Sequence, residues 1–152
     1  MTEDASESTN TGDRPSSNWE PRPVPAVTPE TAPFWEGAAN GELLIGHCPE
    51  CDLTFFYPRA RCPACLAAAD MIAAAGTGEV YSYAVPERIS GWPDEHTPLI
   101  VAYVELDEGP RIVTNVVDCQ PDDVAVGTRV EVEFVPTENS DVAVPVFRLR
   151  YS

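Results

Sequence analysis

Four of the chain's five cysteines fall within one stretch, LIGHCPECDLTFFYPRARCPACL from Leu44 to Leu66, at the spacing C-x2-C, ten residues, C-x2-C. A Cys-x-x-Cys turn aims two sulfurs and its own backbone N–H groups at one point, and two such turns close a tetrahedral coordination sphere. Each turn also has proline directly after its first cysteine, Pro49 and Pro63. The pattern predicts a tetrathiolate metal site at Cys48, Cys51, Cys62 and Cys65, against the alternatives of two disulfides or four buried free thiols. Four protein ligands leave no open position for water or substrate, so the expected contribution of the metal is folding free energy rather than catalysis. Zinc suits the site, and iron shares the same sulfur ligation. Between the knuckles, Leu53, Phe55 and Tyr57 alternate with Thr54 and Phe56, the pattern of a short strand in a zinc ribbon.

A chain of 152 residues holds one or two small domains, neither with a large core, so a metal would supply stability that packing cannot. The formal charge is -16, from 25 acidic side chains against nine basic ones, all of them Arg. Such a surface repels nucleic-acid phosphates and anionic membranes, which argues against both as partners. A lysine-free acidic composition is also what keeps a protein soluble in concentrated salt, and a salt-loving source is the corresponding expectation. Unchanged solubility between low and molar salt would sink that idea. Residues 1–20 are acidic without an apolar run, and no stretch approaches the roughly 20 apolar residues of a membrane span. The expected location is the cytoplasm, where thiols stay reduced and ligate metals.

Residues 1–26 are rich in Ser, Thr, Asp, Glu and Pro with little to bury, and disorder is expected there. Residues 27–75 are expected to hold a helix and the ribbon, and residues 76–152 a second domain. Thr28 or Thr31 offers an N-cap to a short amphipathic helix carrying Phe34, Trp35 and Ala38, with Gly41 as its stop. Phe34 and Trp35 either pack on the ribbon or face a docking partner. Leu43–Gly46 predicts the strand into the first knuckle, and His47 is expected to be structural or a surface residue, since four thiolates already fill the site. LAAADMIAAA, 66–75, predicts a linker or a turn of helix. Gly76 and Gly78 lack the Lys and following helix of a phosphate loop and predict a backbone bend.

From there the chain is a succession of candidate strands, Glu79–Val85, Leu99–Leu106, Arg111–Val117, Arg129–Val135 and Pro145–Arg150. Asp107, Glu108 and Gly109 mark a hairpin between the second and third. Val130, Val132 and Phe134 are expected to point inward from the fourth. The fold class is therefore mainly β: a short N-terminal helix and zinc ribbon, then a five-stranded barrel of OB type. The loop Pro86–Pro98 carries Trp92, which is expected to project toward a partner or ligand, and His96, which lacks a nucleophile or carboxylate to work with. Cys119 is expected to be a small filler at the barrel edge.

Together, PFWEGAANGELLIGHCPECDLTFFYPRARCPAC, GTGEVYSYAVPER, PLIVAYVELDEGPRIVTNVVD and DDVAVGTRVEVEF resemble the acyl-CoA-associated family that joins a rubredoxin-like zinc ribbon to an OB-fold, the domain of unknown function 35 family. The resemblance runs from Pro33 to Phe134. One departure is visible: family knuckles often place Gly after the second cysteine, where this chain has Asp52 and Leu66. Leu tolerates positive φ poorly, so a differently shaped second knuckle is expected.

The resemblance implies a non-catalytic partner of thiolase-like enzymes, bridging one of them to a second acyl-CoA enzyme, a hydroxymethylglutaryl-CoA synthase or a hydratase, in a hetero-oligomer. The residues themselves offer no Ser-His, Cys-His or paired-carboxylate arrangement for an independent reaction. Phe34, Trp35 and Trp92 are the candidate docking residues. Arg59 and Arg61 form a tight basic pair between the knuckles, suited to the phosphates of a coenzyme A thioester or else to nearby carboxylates or the knuckle. Two other classes compete: a single-strand nucleic-acid module stacking bases on Tyr81, Tyr83 and Tyr103, opposed by charge, and a small acyl-CoA enzyme, for which Cys119 is the sole candidate nucleophile.

Overall fold

The computed structural model describes residues 21–88, 90, 99–138 and 141–150. Trp92 and His96 lie outside them.

Among the described residues one α-helix, α1 (Ala32–Ala39), precedes the sheets. Thr28 and Thr31 bond reciprocally before it, each backbone N–H donating to the other's hydroxyl at 3.0 and 3.2 Å. Gly41 turns the chain at φ 82°, as its stop signal predicts. Three short strands make the ribbon sheet: β1 (Leu44–His47), β2 (Thr54–Phe55) and β3 (Asp70–Ala73). β1 lies in the middle, antiparallel to both neighbours. The segment expected as linker or helix is thus a strand over Asp70–Ala73. Pairing with β1 overrides the helix preference of its alanines.

Five strands close the barrel in the order β4-β5-β6-β8-β7: β4 (Thr77–Ala84), β5 (Val101–Leu106), β6 (Arg111–Val117), β7 (Arg129–Pro136) and β8 (Ala143–Leu149). β7 pairs back onto β4 through Thr77–Glu79, and the short β6–β8 ladder is parallel. The structure therefore has the ribbon and closed five-strand barrel that the strand signals predict, with bounds shifted by a residue or two. Gly76 makes the expected bend at φ 84°. Gly78 instead permits a close approach of two strands, because a Cβ there would collide with the Glu105 carbonyl on β5.

One core serves both parts. Phe34, Leu43 and Ile45 from the helix and ribbon join Val80, Ile100, Val104, Ile112, Val130 and Phe147 from the barrel in one cluster of buried residues. Val132 and Phe134 are only partly buried against that core, while Val135 turns to a second small cluster with Val117 and Val146. Strict inward alternation along β7 holds at Val130 alone. Ribbon and barrel also meet at the β5–β6 hairpin: the Thr54 hydroxyl donates to the Glu108 carbonyl at 3.1 Å, and the Ala75 N–H donates to the Glu108 carboxylate at 2.8 Å.

The expectation of disorder through residue 26 is corrected for its last part. Arg22 is 6% exposed and forms a parallel bridge with Thr137. Its N–H donates to the Pro136 carbonyl at 2.9 Å, its carbonyl accepts from Glu138 N–H at 2.9 Å, and its guanidinium donates to Asn115 Oδ1 at 2.9 Å. Prolines 21, 23 and 25 restrict the strand-like backbone in advance, which lowers the entropy lost on ordering it. No helix among the described residues is long and apolar enough to cross a membrane.

Candidate functional site

The two knuckles repeat one local structure. Asp52 N–H donates to the Cys48 carbonyl at 2.8 Å and Leu66 N–H to the Cys62 carbonyl at 3.0 Å. Cys48 N–H donates to the Leu53 carbonyl, and Cys62 N–H to that of Ala67, both at 2.9 Å. Asp52 and Leu66 both adopt positive φ, 62° and 66°, so the expected difference in the second knuckle does not occur. Leu accepts the strained conformation because the bonds on either side of it leave the turn no other path.

This repeat brings four sulfurs to one point. Cys48 and Cys62 are buried, Cys51 and Cys65 reach the surface, and all four Sγ atoms lie within 4.8 Å of one another. Cys48 Sγ is 3.5 Å from Cys65 Sγ, and Cys51 Sγ is 3.7 Å from Cys62 Sγ. A metal bonded to sulfur at about 2.3 Å needs sulfurs about 3.8 Å apart around a tetrahedron, so the donor set fits. These separations are far beyond a disulfide bond of about 2.04 Å, and none of the five cysteines is disulfide-bonded. Backbone N–H groups from Cys65 and Ala64 pull the Cys62 thiol down to about 6 despite burial, in the direction of the thiolate that a metal binds. At Cys51 the Leu53 backbone acts in the same direction, but the Cys48 and Cys62 sulfurs outweigh it and push the thiol up to about 12.

His47 supports the first knuckle from outside. Its Nε2 is 2.9 Å from Asp52 Oδ1 and its Nδ1 is 3.0 Å from Asp70 Oδ1, tying the knuckle to β3. Asp52 first, then Asp70, hold its pKa above the usual histidine value, since two carboxylates ask both ring nitrogens to donate. Arg61 donates to the Leu66 carbonyl at 3.4 Å, the knuckle bond that its sequence position allows. Arg59 is exposed beside it.

Phe34 and Trp35 are buried, as their packing alternative has it, at 2% and 9% exposure. Their rings meet edge to face at 4.9 Å, and Phe34 packs likewise on Phe56 at 5.6 Å and Tyr57 at 6.3 Å. Both also reach a groove of about 480 Å³ between the ribbon aromatics and the outer face of the barrel. Its far wall carries Tyr103, Arg111 and Val113, where Tyr103 and Val113 are cross-strand partners that stay half exposed. The Arg111 guanidinium stacks on Tyr81 at 3.6 Å and donates through Nε to Glu105 at 3.2 Å. Sequence reasoning missed Arg111 and Val113. The available signal was an apolar residue at an outward position of β6, next to the outward Tyr103 of β5. Cys119 is buried in the core edge, and burial, then Asp123 and Asp118, push its thiol up to about 11. Its burial suits the small filler expected there.

Known proteins match this architecture along its length. The profile of the ChsH2 rubredoxin-like zinc ribbon domain matches residues 35–70, and that of the ChsH2 C-terminal OB-fold domain matches residues 72–135. The "Probable enoyl-CoA hydratase alpha subunit" of Thermomonospora curvata is 38% identical over 128 residues, which are 84% of this chain and 40% of that protein. The chain thus spans less than half the length of that relative. A "DUF35 domain-containing scaffold protein" of Methanocaldococcus jannaschii is 35% identical over 66% of this chain and 73% of its own. Among solved structures, a chain of the "Ltp2-ChsH2(DUF35) aldolase" superposes with a TM-score of 0.71 at 35% identity, covering 83% of this chain and 98% of that one.

Proposed function

The chain belongs to the DUF35 family, a ChsH2-type rubredoxin-like zinc ribbon joined to an OB-fold, and from that premise we propose that it is a non-catalytic scaffold subunit of acyl-CoA enzymes. In this reading it binds a thiolase-like enzyme and bridges it to a second acyl-CoA enzyme, a hydratase or a hydroxymethylglutaryl-CoA synthase, and helps the thioester pass between them. The observation that carries it is the likeness, over 83% of this chain and 98% of the other, to a DUF35 chain whose protein is named an aldolase. The hydratase name of the Thermomonospora relative favours a hydratase as second enzyme. The protonated, buried Cys119 supports a role without chemistry of its own. The metal is structural zinc. Phe34 and Trp35 contribute through the edges they show to the groove, with Trp92 as a further contact. Arg59 and Arg61 meet the phosphates of coenzyme A.

The test is a pull-down of the tagged, metal-loaded chain from its native extract at high salt, with mass spectrometry of what remains bound. Recovery of a thiolase-like enzyme with a second acyl-CoA enzyme is expected. Recovery of RNA, or of nothing, overturns the scaffold reading. Replacing Arg59 and Arg61 together by Gln is expected to weaken coenzyme A binding by the recovered complex, and unchanged affinity discards the phosphate role.

A nucleic-acid reading has one observation in its favour. Tyr81, Tyr83 and Tyr103 are 48%, 40% and 50% exposed on the barrel, as base-stacking side chains would be. The net charge of -16 opposes it. Labelled single-stranded oligonucleotides are expected to show no anisotropy change at low salt, the condition most favourable to binding.

A further inference from the structure

The groove beside α1 holds a polar group that the described residues leave unused. Trp35 is nine-tenths buried and lines the groove, yet its Nε1–H has no hydrogen-bond partner. A buried indole N–H without an acceptor costs free energy, and groups in that state mark places where something else supplies the acceptor. A second group lines the same groove. Arg111 spends Nε on Glu105 and its face on Tyr81, which leaves the terminal nitrogens of a rigid five-donor fork at a half-exposed side chain.

Charge singles the groove out further. The chain carries 25 carboxylates against nine Arg, but among the described residues lining this groove there is one cation, Arg111, and no carboxylate. The other walls are apolar or aromatic, with Phe34 below and Tyr57, Tyr103 and Val113 at the sides. A volume of about 480 Å³ is the size in which small organic molecules bind, and an apolar lining with a few converging polar groups is their usual setting. Nε1 is closed to solvent in the free chain, so an acceptor reaches it only when an entering molecule shifts the indole and opens the groove, which a flat protein surface laid across it would not do.

We propose that this groove binds a small apolar molecule bearing a carboxylate, its apolar body between Phe34 and Tyr103, its carboxylate on the Arg111 fork, and one of its oxygens accepting from Trp35 Nε1–H. The site is separate from the metal centre and does not depend on the scaffold reading. A chain that captures no enzyme at all would still bind such a ligand.

The test uses the full, metal-loaded chain with tryptophan labelled at the indole nitrogen, followed by NMR at low salt. The probes are octanoate, octanol and acetate, and the Trp35 resonance is identified by its loss in Trp35→Phe. Octanoate is expected to move that resonance downfield in a saturable way, while acetate at equal ionic strength leaves it in place. Arg111→Gln, a change at a half-exposed side chain, is expected to weaken octanoate roughly tenfold, the loss of one charge-assisted contact, and to leave octanol unaffected. A Trp35 resonance unmoved by octanoate overturns the proposal. So does equal octanoate affinity in Arg111→Gln, or octanol binding as tightly as octanoate, since the groove would then be a plain apolar contact surface.

Discussion

Asp52 and Leu66 hold the same left-handed backbone conformation, φ 62° and 66°, each directly after the second cysteine of its knuckle. The two positions are equivalent in hydrogen bonding and differ in what they spend. Asp52 returns its carboxylate to His47, whereas Leu66 is 71% exposed and contacts little.

Leu66→Gly should therefore stabilise the metal-loaded protein. The left-handed conformation costs a leucine about 1–2 kcal/mol, and glycine's greater freedom in the unfolded chain takes back about 0.5–1 kcal/mol. A gain of up to about 1 kcal/mol in chemical denaturation is expected, and a loss would show that the exposed leucine has a packing role. Asp52→Leu should do the reverse, adding strain and removing the Nε2 partner of His47.

Removing the metal tests the centre itself. Cys62 is fully buried, and Cys62→Ser should lower metal content below one ion per chain and lose the β1–β2–β3 sheet by amide exchange. Structural zinc sites contribute on the order of 10 kcal/mol in small modules, comparable to the whole stability of a domain this size. Retention of the ribbon in strong chelator would show that packing alone holds it. Metal analysis of the native protein separates zinc from iron.

Glu108 joins ribbon to barrel through both its carbonyl and its carboxylate. Glu108→Ala leaves the Ala75 N–H without an acceptor, a loss of about 1–2 kcal/mol. The Ala75 amide should then exchange faster while the amides of β5 and β6 keep their protection. Uniform loss of protection would mean that the hairpin, not the junction, had been damaged.

The pH dependence has a clear contributor in Asp107, whose carboxyl the Arg129 guanidinium, at 3.1 Å, and the Thr77 hydroxyl hold below the usual range. A carboxyl lowered by folding stabilises above its unfolded pKa, about 3.9, and that contribution disappears as pH falls through the folded value. Asp107→Asn should be less stable than the parent at pH 7, by an amount at the surface-pair scale of about 0.5 kcal/mol. The difference should shrink below about pH 4. Comparing the two proteins at each pH cancels the acid release of metal, and a constant difference would rule the link out.

Much of the architecture is legible before any coordinates, because it rests on local chemistry. The cysteine spacing fixes the metal centre, and short Val-, Ile- and Tyr-rich runs set off by Gly, Pro and Asp mark the barrel strands. What stays hidden depends on pairing across long distances. Asp70–Ala73 reads as alanine-rich and becomes a strand only because β1 has a free edge there. Val135 sits at an outward position of β7 and is buried all the same, beside Val117 and Val146 from other strands. At the groove, Trp35 announces an aromatic but not its unpartnered N–H, and Arg111 is one arginine among nine. Their convergence is a property of the fold alone.

The bridge between Arg22 and Thr137 has a consequence in time. On a growing chain the metal centre is complete once Cys65 has emerged, but Arg22 waits for Pro136, Thr137 and Glu138, made near the other end. The ribbon can close around its metal long before Arg22 finds its place. In refolding followed by pulsed exchange, the Arg22 amide should be among the last to gain protection, and the Cys48 and Cys62 amides among the first. A segment made before the ribbon is built in after the barrel.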